Sequence, residues 1–315
     1  MFAKLFAQSG LSLDRLRALV EVGATGSIVR AAAGDPARQS QYSRQIKELE
    51  DFFQTGLVER HGKGIRLTAS GRELARISRF FMLGLSNFQR GSLAEGQTYR
   101  IGAGPTFISS FLFPLLAEPR CVQSGIRFGV EAVMGDEVER RLHDLTLDFG
   151  VVSRAALTRP LQFRELGSWR LRFWVPKALC KNANQAERAF EAQRLPIVWP
   201  SGELPLSEFK PLENYEPALT CTNFIEARIA LEAKALAAFL PDFMPPVSTA
   251  HCLKVKLPAV DACLFHYRLA WNPRLLRLNP HARRRRDALA ESLARKLSTL
   301  TAGADGRTGS QKPGR

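Results

Sequence analysis

The chain is poor in long apolar runs: none approaches the roughly 18 consecutive apolar residues that a membrane-spanning helix needs. A helical membrane protein is therefore not expected. The opening MFAKLFAQSG carries one lysine and a short apolar patch broken by Gln8, a poor export signal, so a cytoplasmic location is expected. Cysteine is scarce and odd in number. Cys121, Cys180, Cys221, Cys252 and Cys263 include no C-x-x-C pair, which argues against a disulfide scaffold or a zinc knuckle and for reduced structural thiols. Cys263 and His266 lie three apart on a strand-like run, where period-two geometry puts them on opposite faces, a poor nucleophile–base pair. No nucleophile elbow, phosphate loop, metal cluster or dinucleotide fingerprint is found, so neither an enzyme, a metal nor a cofactor is expected.

Acidic residues are what the two ends lack. Residues 1–90 hold 14 basic and 8 acidic side chains, residues 91–267 hold 19 of each, and residues 268–315 hold 12 and 3. The formal charge of +15 is thus confined to two segments flanking a neutral middle. Charge localised in this way suggests a polyanionic partner. For Arg283 to Arg286 the plainer account is the solvated face of a last helix. With 315 residues, 45% of them apolar, the chain can bury a substantial core in about two domains.

The first 90 residues have helical periodicity. Ser12 to Ala24 places Leu13, Leu16, Leu19, Val20 and Gly23 on one stripe. Ser27 is a candidate N-cap for a short alanine-rich helix ending at Gly34. Asp35-Pro36 then supplies a cap with proline in the first helical position. Tyr42, Ile46, Leu49 and Phe53 mark the buried face of the next helix, with Ser40, Ser43, Arg44, Lys47 and Asp51 opposite. That is a helix-turn-helix candidate. Leu57–Arg60 and Ile65–Thr68 flank His61-Gly62-Lys63-Gly64, a basic hairpin placed like a wing. Beyond Thr68 a long helix carries Leu74, Phe81 and Phe88 seven apart, with Ile77 and Leu85 in the same stripe, so it is expected to pack against a partner. Arg90–Thr98 looks like a linker.

These N-terminal residues resemble a known family. Gly26-Ser27, the alanines at 31 and 32, Gln39, Ser43-Arg44-Gln45-Ile46, Leu49-Glu50, Gly62, Leu67-Thr68 and Gly71 fall in the order and spacing of the winged helix-turn-helix of LysR-type transcriptional regulators. The resemblance implies a sequence-specific DNA-binding protein, dimerised through the helix after the wing, with a C-terminal ligand-sensing domain built like a periplasmic binding protein. It departs from the family pattern at Asp35 and Arg38, and at Leu145, Lys234 and Leu236. Those last three replace glycines, so the turns there are expected to be made differently.

From Tyr99 strands alternate with helices, which implies α/β lobes with a parallel or mixed sheet. The fold class expected is α/β: a winged helix-turn-helix (1–68), a linker and dimerisation helix (69–97), and a two-lobed effector-binding domain (98–300). Lobe I covers about 98–172 and 264–300 and lobe II about 173–263, with a disordered tail at 301–315.

Residue chemistry assigns candidate contacts. Gln39, Gln41 and Arg44 can pair with purine edges of double-stranded DNA, and Ser40 and Ser43 are short enough for close approach. Arg38, Lys47, Lys63 and Arg66 suit phosphates, and the helix start at Ser27 offers amides. In the second domain, ligand loops are expected at the carboxyl ends of strands. Those loops hold Thr106 and Phe107, Ser153, Ser201, and Thr222 with Asn223. Their hydroxyls and free amides favour a carboxylate or another small anion. The function expected is a DNA-binding regulator modulated by a small molecule, acting as a homodimer or homotetramer and free of membranes. The alternative is a constitutive regulator whose second domain no longer senses.

Overall fold

The computed structural model describes residues 10–61, 64–92, 98–122, 126–153, 156–204, 209, 215–278 and 280–306. The chain divides into two compact units, Met1–Glu95 and Gly96–Arg315.

In the first unit, α1 (Leu13–Thr25) is capped by Ser12, and α2 (Ile28–Ala31) by Ser27. Asp35 accepts hydrogen bonds from the Ala37 and Arg38 amides and starts α3 (Pro36–Phe53), with Pro36 contributing the fixed φ of a first helical residue. A cap of this kind is worth about 1 kcal/mol. The buried arc of α1 is Ala18, Leu19 and Val22, while Leu13 is 51% exposed. The expected stripe is therefore rotated, because α1 packs against both α3 and a later helix. Tyr42, Ile46 and Leu49 of α3 close this core, and Gln45 is buried beside them.

The hairpin of β1 (Val58–His61) and β2 (Gly64–Leu67) is antiparallel. Its root is tied twice: the Ile65 amide donates to the Gly26 carbonyl, and the Glu50 carboxylate accepts from the Leu57 and Val58 amides. The helix α4 (Ala69–Ser92) then starts against Leu57. A Cβ at Gly71 would lie 1.9 Å from the Leu57 carbonyl oxygen, so only glycine allows this approach. Ala75 and Ser78 of α4 face the unit's own core, whereas Ile77, Phe81 and Leu85 are 52%, 51% and 45% exposed. The side chain of Phe88 lies outside the described residues.

The second unit holds two five-stranded mixed sheets. One runs β4-β3-β5-β12-β6, from β3 (Thr98–Ala103), β4 (Arg127–Ala132), β5 (Phe149–Val152), β6 (Gln162–Trp169) and β12 (Phe265–Trp271). The other runs β11-β7-β10-β8-β9, from β7 (Leu171–Pro176), β8 (Ile197–Pro200), β9 (Leu219–Cys221), β10 (Ala237–Pro241) and β11 (Cys252–Val255). In each sheet three parallel strands are followed by two antiparallel ones. The chain passes from one sheet to the other at Arg170, and β12 returns it. The lobes thus repeat one topology that no sequence repeat announced.

Helices cover the sheets. A helical run opens with α5 (Pro105–Phe107), widens to π spacing over Ile108–Leu112, and ends as α6 (Phe113–Leu116). Next come α7 (Pro119–Val122) and α8 (Asp136–His143), and then α9 (Ala183–Glu191), which the sequence reading had not distinguished. The remaining helices are α10 (Phe224–Glu232), α11 (Pro258–Asp261), α12 (Pro273–Leu278) and α13 (Pro280–Gly306). The last corrects an expectation: helix continues to Gly306 where a tail was expected from 301, and residues 307–315 lie outside the described residues.

The turns expected to be rebuilt are not. Leu145 (φ 55°) and Lys234 (φ 67°) adopt the left-handed conformation that glycine would favour, so the backbone is kept and the side chains bear the strain. Among the described residues no helix is long and apolar enough to cross a membrane. All five cysteines are free thiols. Burial pushes the Cys221 thiol up to about 11, helped by the Glu226 carboxylate.

Candidate nucleic-acid interface and ligand cleft

The outward arc of α3 carries Arg38, Ser40, Gln41, Ser43, Arg44 and Lys47, all exposed. Arg44 is the most open, with a side chain 75% accessible and a loose pairing to Glu48 at 3.7 Å. Arg38 lies over the Tyr42 ring, 5.6 Å from its centroid, and that ring donates its hydroxyl to Glu21. Burial and the Glu21 contact push the Tyr42 phenol up, so it remains a neutral donor. Gln39 is half-buried, on the side of α3 that carries Tyr42 and Ile46. Ser27 is also half-buried, and its hydroxyl accepts from the Arg30 amide. On the hairpin, Arg66 is exposed opposite Glu59; Lys63 lies outside the described residues.

In the second unit a cleft of about 340 Å³ opens between the lobes. Phe107, Trp169, Phe224 and Tyr267 form its aromatic floor, and Met134, Asp136, Ser153 and Glu203 stand among the other lining residues. Of the expected ligand residues, Phe107 and Ser153 line this cleft. Thr106 sits just behind it, fully buried. Ser201, Thr222 and Asn223 are engaged within lobe II: the Ser201 hydroxyl donates to the Cys221 carbonyl, the Thr222 amide donates to Glu226, and Asn223 caps α10.

Glu203, which the sequence reading passed over, is the centre of the arrangement. It follows β8 in lobe II, and its carboxylate accepts from the Thr106 amide at 2.9 Å and from the Thr106 hydroxyl, both in lobe I. It also accepts from the Phe224 amide of lobe II at 3.1 Å. A Cβ at Gly104 would fall 2.6 Å from the Glu203 Oε1, so glycine there is what lets the carboxylate enter. Burial pushes the Glu203 carboxyl up, while the Thr106 and Phe224 donors pull the other way. The Tyr267 phenol is raised well above its ordinary value by burial, then by the carboxylates of Glu203 and Asp242. The chemistry of the cleft is therefore an apolar aromatic floor in a negative field.

Residues 13–72 match the model of the bacterial regulatory helix-turn-helix protein, lysR family, and residues 94–294 match the LysR substrate binding domain. The HTH-type transcriptional regulator HdfR of Yersinia pestis (strain Pestoides F) is 24% identical over 240 residues, which cover 74% of this chain and 82% of HdfR. ArgP from Mycobacterium tuberculosis superposes with a TM-score of 0.62 at 18% identity, over 93% of this chain and 97% of that one. Full-length OxyR from Pseudomonas aeruginosa gives 0.61 at 17%, over 90% and 97%. CbnR complexed with its target DNA gives 0.52 at 16%, over 87% and 99%. At these identities the three structures establish a common fold. The substrate-domain match alone extends over more than half the chain, and with the helix-turn-helix match before it the chain belongs to the LysR family of bacterial transcriptional regulators.

Proposed function

We propose that the exposed arc of α3 enters the major groove of double-stranded DNA. Gln39, Gln41 and Arg44 face base edges there, and Ser40 and Ser43 allow close approach. Arg38, Lys47, Lys63 and Arg66 meet phosphates, and the helix start at Ser27 adds an amide contact. The observation that carries this reading is the open polar arc of α3 beside a basic hairpin, with the Arg44 side chain 75% accessible. The exposed stripe of Ile77, Phe81 and Leu85 supports self-association through α4, as a homodimer or homotetramer. The cleft between the lobes takes the small-molecule effector, and the protein acts in the cytoplasm.

Footprinting of the purified protein on the intergenic DNA beside its own gene tests the reading. An interrupted near-palindrome is expected, and no protected site would overturn it. A second reading, a regulator that senses nothing, is favoured by Glu203 already bridging the two lobes. It requires a footprint that no cleft ligand alters.

A further inference from the structure

An amide and a hydroxyl at the start of one helix and an amide at the start of another converge on one point between the lobes. Such a convergence would ordinarily receive the acid group of a ligand. Here the point is filled by the chain itself. Glu203 brings its carboxylate from lobe II to Thr106 in lobe I, and the Thr106 hydroxyl in turn accepts from the Phe224 amide at 3.2 Å. The volume that remains is still about 340 Å³, lined by Phe107, Trp169 and Tyr267. No Lys, Arg or His is present among its described lining residues, while Glu203 and Asp136 both line it. The indole nitrogen of Trp169, itself 4% exposed, has no hydrogen-bond partner, so the site retains a polar group for a ligand to satisfy.

We infer that the cleft binds a small organic cation with an apolar body, and that Glu203 is the residue that sets this specificity by occupying the seat of an acid group. The inference rests on the cleft being the effector site. An ammonium placed there gains from the field of the two carboxylates and from the faces of the aromatic floor. A carboxylate would find its donors already taken and two like charges facing it, a repulsive form of discrimination.

The test uses the full chain and three probes that share one ring: benzylammonium, benzyl alcohol and benzoate, titrated by calorimetry. Wild type is expected to bind benzylammonium at least about tenfold more tightly than benzoate, with Glu203→Gln narrowing that ratio. Glu203→Ala vacates the seat, and acetate is expected to raise its melting temperature but not that of wild type. Benzoate binding to wild type as tightly as benzylammonium overturns the inference. If wild type binds none of the probes, the acetate arm decides: a folded Glu203→Ala protein indifferent to acetate overturns it. Ser153→Trp, which places a bulky ring at the cleft wall, separates the underlying reading. Ammonium binding that survives this substitution would mean that the probe sits elsewhere and that the cleft is not the effector site.

Discussion

Single residues carry the sharpest consequences. Replacing Arg44 by Ala removes the most open side chain of the α3 arc. It should cost about 1–3 kcal/mol of operator affinity and relax specificity at one base position, read by binding to a set of single-base operator variants. Two left-handed residues make an opposed pair. Lys234 is exposed, so Lys234→Gly should relieve its positive φ and raise stability by up to about 1 kcal/mol, after the added freedom of the unfolded chain is counted. Leu145 shares the strain but is 7% exposed, so Leu145→Gly forfeits about 2 kcal/mol of apolar burial and should destabilise. Urea unfolding of both variants checks the signs, and stabilisation of both would mean that the burial term has been misjudged. Positions of this kind show a limit of reading by resemblance: a missing glycine suggested a different turn, whereas the turn persists and its residue is strained.

At the scale of elements, local chemistry was the legible part. Ser12, Ser27 and Asp35 each cap the helix they precede, because capping needs only a short polar side chain and the next three amides. The wing and its glycines were legible for the same reason. The rotated face of α1 was not, since which arc is buried depends on how many neighbours the helix meets. Nor was Glu203, whose partners Thr106 and Phe224 stand 97 and 21 residues away in the chain. The only local hint was its place directly after the β8 loop residues Ser201 and Gly202. Helix α4 supplies the prediction at this scale. Its stripe of Ile77, Phe81 and Leu85 leaves three large apolar side chains about half exposed in one line. Phe81→Glu puts a charge in the middle of that line without touching Ala75 or Ser78, which face the unit's own core. Sedimentation velocity should show the variant shifted to monomer at concentrations where wild type is associated, with an unchanged far-ultraviolet spectrum. A variant as associated as wild type would place the self-association elsewhere.

For the whole molecule, the charge that first pointed to a polyanion separates into parts with different consequences. Arg286 lies 4.5 Å from the Trp271 ring centroid and pairs with Asp287, so part of the C-terminal cluster is absorbed by packing, while Arg283 and Arg284 are exposed. Arg66 on the hairpin should instead contribute to the salt slope of DNA binding. Arg66→Ala is expected to lower the slope of log affinity against log salt by about 1, and Arg284→Ala to leave it unchanged. A reversed result would move the phosphate contact to the last helix.

The bridge across the lobes adds a pH term of definite sign. Burial raises the Glu203 carboxyl above its ordinary value of 4.5, so over the interval between the unfolded and folded values the folded chain holds the proton more firmly. The contribution of this group is therefore fully present below 4.5 and is lost as pH rises through the folded value. Glu203→Gln removes the titration and keeps the size of the side chain. The stability of wild type relative to this variant should fall as pH rises from 4.5 and then level off, in melts taken across a pH series. A gap that widens in favour of wild type over that range would mean that the three donors outweigh burial, and that the carboxylate is held as a stabilised anion instead.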